Sequence, residues 1–170
     1  MSSGTSVPGE PPQGRPMNRP ARAVILFIAQ GAYAGKFPVA PGTAGTLVGV
    51  LIQYVIRNTS PLLYIAMTFL FCIIGMWAAG RAEIILGRKD SPSIVIDEIA
   101  GFLVAMFMVP AGWGYLAAGF VLFRLFDITK PWPLYSLQAL NGGLGIMIDD
   151  IGAGIYTNIT LQLISFVISR

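Results

Sequence analysis

Residues 61–80 read PLLYIAMTFLFCIIGMWAAG, a stretch without a charge that Arg81 closes. About 20 apolar residues cross a bilayer as one helix, so Pro61–Gly80 predicts a membrane span. Ile151–Ser169 is long enough to be a second one. The whole chain of 170 residues has this character: hydrophobic residues make up 55% and charged residues 11%, and mean hydropathy is +0.70. An ordinary soluble domain is about 25% charged. Soluble, disordered and nucleic-acid-binding domains are therefore excluded, and a net charge of +3 is too small for a nucleic-acid footprint.

Working outward, charge-free runs also cover 23–35, 37–56, 99–123 and 131–148. Pro38, Pro41 and Gly42 break the start of the second run, so its helix is expected after Thr43 and to Ile56. Run 99–123 carries Pro110, Gly112 and Gly114 near its middle and is expected to form a re-entrant or broken helical hairpin. Residues 131–148, with Pro131, Pro133 and four glycines and asparagines at 141–145, predict an irregular surface segment with a short interfacial helix. Ala23–Ala34 has signal-peptide features, yet a retained interfacial or re-entrant first helix is the better reading, since cleavage would export the most basic loops. Residues 1–20 hold five prolines among polar residues and are expected to be a disordered tail. The fold class that follows is all-α, a polytopic integral membrane helical bundle, with residues 21–170 as one membrane-embedded domain.

The chain has no His and a single Cys, which excludes imidazole mechanisms, the commonest zinc sites and an intrachain disulfide. Cys72 is followed at 78 by Ala where a Cys-x5-Arg phosphatase loop would need Arg, and reads as a small packing residue. The informative residues are acidic. Of eight carboxylates, Asp97, Glu98, Asp127, Asp149 and Asp150 flank apolar runs, with only Arg124 and Lys130 nearby in sequence. A carboxylate beside hydrocarbon is costly unless paired, solvated or metal-bound. Five negative charges against two positive would repel one another if gathered, and a hard divalent cation relieves that: Mg²⁺ before Mn²⁺ or Ca²⁺. The same five carboxylates are the candidate catalytic and metal-ligating residues.

Arg124, Asp127 and Lys130 share a helical face by their three-residue spacing, either as an intrahelical salt bridge or as cations holding a phosphate whose metal Asp127 binds. Pro41-Gly42-Thr43-Ala44-Gly45-Thr46 precedes a helix, with Thr43 expected at the N-cap. Its free amides, with Lys36 nearby, could attract phosphate, which makes Thr43, Thr46 and Lys36 further candidate phosphate-binding residues. Asp97-Glu98 and Asp149-Asp150 each read as an acid pair opening a helix, with small residues one turn later. Gly142 to Gly145 reads as a flexible approach to Asp149, not as a dinucleotide fingerprint.

Taken in order, PGTAGT at 41–46, Asp97-Glu98, FRLFDITKPWP at 123–133 and Gly142 to Gly154 make the chain resemble phosphatidylglycerophosphatase A over about 23–168. The resemblance implies an all-helical, Mg²⁺-dependent lipid phosphatase of the bacterial inner (cytoplasmic) membrane. Its reaction is phosphatidylglycerophosphate to phosphatidylglycerol and inorganic phosphate. It carries the family's acidic positions onto Asp97, Glu98, Asp127, Asp149 and Asp150 and its basic positions onto Arg124 and Lys130. The implied partners are an anionic phospholipid substrate and membrane lipids. A water activated by the cation, with a carboxylate as general base, is the favoured nucleophile over an Asp that forms an aspartyl-phosphate. A cation channel or carrier using the same carboxylates is the alternative. A CDP-alcohol phosphotransferase would need an Asp-Gly-x-x-Ala-Arg signature, which is absent.

One site requires one membrane face. If 99–123 enters and returns, nine cations lie on the side of the acids and only Arg57 and Arg170 opposite. The positive-inside rule then predicts a multi-pass chain with its active site on the cytoplasmic face.

Overall fold

The computed structural model describes residues 18–137 and 140–170, and among them the chain is helical with no strand. Of the tail expected at 1–20, residues 1–17 lie outside the described residues, and Asn18 already caps the first helix. Its side chain accepts from the Ala21 amide at 3.0 Å, with Pro20 in the first turn, and α1 runs Arg19–Ala29. A 3-10 turn at Ala34–Lys36 leads to α2, Pro41–Ile56. This helix starts two residues before the expected Thr43 because Pro41 occupies its first turn, where a missing N–H costs nothing. Ala40, not Thr43, is the N-cap.

α3, Pro61–Leu86, is capped by Ser60 at Leu63 and stopped by Gly87 in the left-handed region at φ 64°. It continues six residues past Gly80, because Arg81 is exposed and Ala82 is buried on the packed side. α4, Ile96–Ala105, is followed by the breakers and then by α5, Trp113–Thr129. The hairpin is therefore unequal: a 10-residue arm and a 17-residue arm, with Gly114 inside the second helix. α6 is a single turn, Leu134–Leu137, and α7 covers Gly142–Ile168.

α7 corrects the expectation for 131–148. Gly142 to Gly145 is the first turn of a long helix, not a flexible approach, and Asp149-Asp150 lies two turns inside it instead of opening it. Packing overrides the poor propensity of these glycines. A Cβ on Gly143 would overlap the Met76 carbonyl oxygen, so only glycine lets α7 cross α3 here. The two helices run antiparallel, since Gly75 meets Met147 while Gly80 meets Gly143.

α4 is the central element, buried except at Glu98 and Val104, and packs against α7, α2 and α3. Its crossing with α7 is close: a Cβ on Gly101 would strike the Asp150 backbone, and one on Gly154 the Gly101 carbonyl. The small residues after the two acid pairs thus face each other. α4 ends inside the bundle, and its last carbonyls are met by side chains. Asn158 Nδ2 donates to the oxygens of Ala105 (3.0 Å) and Phe107 (2.7 Å). Gln162 Nε2 donates to Met108 O at 3.0 Å, and the Tyr64 hydroxyl to Leu103 O at 2.8 Å.

α3 and α7 are long and apolar enough to cross a membrane, and only 28% and 22% of their most apolar windows are buried inside the bundle. At 1.5 Å per residue each spans about 40 Å. The outward faces carry Leu62, Phe69, Leu70 and Trp77 on α3, and Ile159, Leu163, Phe166 and Val167 on α7, all at least half exposed. Apolar faces of this extent mark membrane association.

Candidate active site

Four elements meet at one end of the bundle around a cavity of about 310 Å³. The first turn of α4 supplies Asp97 and Glu98, the last turns of α5 supply Arg124 and Asp127, and α7 supplies Asp149 and Asp150. Lys130, in the left-handed region at φ 41°, caps α5 and leaves the helical face it was expected to share. The structure therefore brings all five carboxylates and both cations into one place. Asp97, Asp127, Asp149 and Asp150 are each at least nine-tenths buried.

Within the cavity the charges sort into two kinds. Carboxylate oxygens of Asp97, Glu98 and Asp150 all lie within 4.8 Å of one another, a spacing that can hold a metal ion. The other two acids are paired. Arg124 Nη1 donates to Asp127 Oδ2 at 2.6 Å and lies 3.8 Å from Glu98 Oε1, and Lys130 Nζ donates to Asp149 Oδ2. Among the described residues, four buried side-chain atoms of the cavity have no hydrogen-bond partner: Glu98 Oε2, Asp149 Oδ1, Asp150 Oδ2 and Arg124 Nε. Three orphaned acceptors call for a cation, and one orphaned guanidinium donor calls for an anion.

Burial is the largest influence on Asp97, and with Glu98 and Asp150 close by it holds this carboxyl well above the usual carboxylate range. Burial likewise raises Glu98. Burial pulls the Lys130 ammonium down, but the hydrogen bond to Asp149 and the charges of Asp149, Asp150 and Asp127 outweigh it, so its net shift is upward. Lys130 stays charged.

The start of α2 reaches the cavity through the backbone of Ala40, Pro41 and Gly42. The side chains expected there are placed elsewhere. Thr46 Oγ1 donates to Gly42 O at 2.9 Å and is fully buried, Lys36 Nζ sits 4.4 Å over the Tyr33 ring, and Thr43 does not line the cavity. Asp90, Ser91, Pro92 and Ile94 do line it, as do Gly145 and Ile146. None of the first four was singled out from the sequence, and Gly145 was read only as part of a flexible approach to Asp149. The one available signal was the turn composition of Lys89-Asp90-Ser91-Pro92, seven residues before Asp97.

Residues 27–165 match the model of a family described as phosphatidylglycerophosphatase A. The chain belongs to that family. Among its relatives is the phosphatidylglycerophosphatase A of Escherichia coli, 37% identical over 131 residues, or 76% of each chain. That of Haemophilus influenzae is 32% identical over 157 residues, covering 88% of this chain and 96% of the relative. A Bacteroides thetaiotaomicron protein named provisionally as a phosphatidylinositol-3-phosphatase is 36% identical over 160 residues, 89% of this chain and 99% of its own. No solved structure matches the chain. Membership of the phosphatidylglycerophosphatase A family supports a phosphatase acting on a phospholipid, and nothing supports the channel alternative.

Proposed function

We propose that this protein is a Mg²⁺-dependent phosphatase that hydrolyses phosphatidylglycerophosphate to phosphatidylglycerol and inorganic phosphate. It works as one membrane-embedded domain, a multi-pass bundle of the bacterial inner membrane with the site on its cytoplasmic face. The observation that carries the reading is the division of charge just described: three clustered acids beside two cation–carboxylate pairs in one cavity.

Asp97, Glu98 and Asp150 would hold Mg²⁺, a hard cation suited to an all-oxygen donor set, and the unpartnered oxygens of Glu98 and Asp150 fit it. When bound, Mg²⁺ neutralises charge on the phosphoryl group. Arg124 orients that group through its free Nε, while Asp127 fixes the guanidinium plane. Lys130, kept charged, offsets the remaining negative charge. Asp149 uses Oδ2 to hold Lys130 and keeps Oδ1 free to take a proton from the attacking water. As the water oxygen bonds to phosphorus, the bond to the glycerol oxygen breaks, and that proton passes to the departing oxygen.

The test is phosphate release by the purified chain from phosphatidylglycerophosphate, phosphatidylinositol 3-phosphate and phosphatidate, each with Mg²⁺ and with EDTA. Release from the first substrate should be fastest and should vanish on chelation. Asp97→Asn, Asp127→Asn, Asp149→Asn and Asp150→Asn should each slow it by about 10²-fold or more. Near-normal rates in more than two of these folded variants would remove the site.

A further inference from the structure

The most exposed large apolar side chain among the described residues stands beside the cavity. Trp132 is 85% exposed and follows Lys130, a lining residue, by two positions. Its ring is unpacked, but its backbone is held. The Leu134 amide donates to Pro131 O at 2.8 Å, and the Tyr156 hydroxyl of α7 donates to Trp132 O at 3.2 Å. Leu134 is buried against Gly152 of α7, where a Cβ would overlap it. Gly152 and Tyr156 lie beyond Asp150 along the apolar length of α7, by about 3 and 9 Å at 1.5 Å per residue. The turn that carries the indole is therefore attached to the hydrocarbon side of the carboxylates.

α5 continues the same surface. Val121, Leu125 and Ile128 recur at helical spacing on one face, and each is at least half exposed. Phe126, on the packed side, meets Tyr156 edge to face with ring centroids 5.8 Å apart, so the residue that holds Trp132 also holds the end of α5. Arg124 and Lys130 belong to this stretch of chain but are turned inward, to Asp127 and Asp149. The result is an apolar lane that ends at a cavity carrying two cations and a cluster of acids able to hold a metal ion. That combination matches an amphiphile with an apolar body and an anionic head. Tryptophan suits the boundary between headgroups and acyl chains, because its ring is apolar and its N–H is polar.

We propose that Trp132, with Ile128 and Leu125, forms the lip over which a lipid substrate enters. The acyl-bearing part of the lipid rests on this face, with the indole in the boundary layer, while the terminal phosphoryl group passes Lys130 into the cavity. The proposal rests on the phosphatase reading above and names the surface that takes the lipid part of its substrate.

The test has one arm that needs no turnover. Trp77→Phe and Trp113→Phe, both at exposed positions, leave Trp132 as the sole tryptophan of the full chain. In nanodiscs of phosphatidylglycerol and phosphatidylcholine, both faces are open to solvent. Trp132 fluorescence there should be quenched more by phospholipid brominated near the glycerol end of its chains than near their tails, and iodide in solution should reach it weakly. The second arm is hydrolysis of phosphatidylglycerophosphate in mixed micelles with Mg²⁺, with melting temperature as the control for folding. Trp132→Ser should raise KM by about 10- to 100-fold, the scale of burying one large apolar side chain, and lower kcat far less. Trp132→Phe should restore most of the loss. Iodide quenching without quenching by brominated lipid overturns the proposal. So does silence toward both, which means that protein covers the ring, as in a contact between two copies of the chain. An unchanged KM in Trp132→Ser, or a loss in kcat alone, overturns it as well. Quenching by brominated lipid in a chain that releases no phosphate would sink the phosphatase reading and leave the lipid contact standing. Iodide access in a chain that hydrolyses the lipid would do the reverse.

Discussion

Gly42 separates catalysis from stability, because one added methyl group acts on them in opposite directions. A Cβ there would lie 3.1 Å and 3.2 Å from the two terminal nitrogens of Arg124 and would overlap Glu98 Oε1. The Arg124 guanidinium is held by Asp127 at 2.6 Å, so Glu98 is the group that has to yield. Restoring ordinary contact needs a shift of about 1 Å, and a misplacement of that size costs about 10²-fold in rate. The helix itself gains, since alanine is the better helix former by up to about 1 kcal/mol. Gly42→Ala should therefore lower kcat/KM about 10²-fold in phosphate release while its melting temperature holds or rises. Adding Glu98→Asp, which shortens the crowded side chain by one methylene, should recover part of the loss. Full activity in Gly42→Ala would refute the reasoning, because it would mean that the Glu98–Arg124 arrangement does not matter to turnover.

Three other outcomes are expected. Asp97 and Glu98 bind protons more tightly in the folded chain than in the unfolded one. Their contribution to stability is thus complete below the ordinary carboxylate range and is lost as pH rises through the raised values. In EDTA the melting temperature should climb as pH falls toward about 4, and Mg²⁺ should flatten that dependence; a flat profile in EDTA would contradict the burial of these acids. Asn158→Ala leaves Ala105 O without its side-chain donor and Phe107 O with only the 3.3 Å bond from Gln162 Nε2, and should cost about 1–3 kcal/mol in chemical denaturation, while Asn158→Asp should be no better. In a Cys72→Ala background, a cysteine at Asn58 should react with an impermeant maleimide in sealed right-side-out vesicles and one at Arg88 should not. The opposite pattern would invert the proposed topology.

How much of this was legible depended on whether a feature lives in the chain or between its parts. Pro61–Gly80 is visible because charge is absent over a bilayer's length, and the five acids are visible because charge is present where it is costly. The end of α3 was misplaced because a charged residue can continue a helix on its exposed side, as Arg81 does. The start of α7 was missed because Gly142 to Gly145 has the composition of a loop, and only the close approaches of Gly143 to the Met76 carbonyl and of Gly145 to the Leu140 carbonyl explain those two glycines in a helix. The family motif placed Lys130 beside the acids, but its choice of Asp149 follows from the left-handed turn at the end of α5, which no spacing announces.

The capping of α4 by Asn158 and Gln162 has a consequence for how this chain can change. Asp150, Asn158 and Gln162 are rungs on a single rigid rod, with about 12 Å of rise between the first and the second at 1.5 Å per residue. One end of the rod meets the cluster of Asp97 and Glu98, whose spacing can hold a metal ion, and the other holds the end of a helix that stops inside the protein. Their angular phase is common property. A single residue inserted between Gly152 and Thr157 would turn one set about 100° against the other, and no local adjustment could satisfy both. Length variation in α7 is therefore barred between the carboxylates and the amides and tolerable only beyond Gln162, where the helix carries no such obligation.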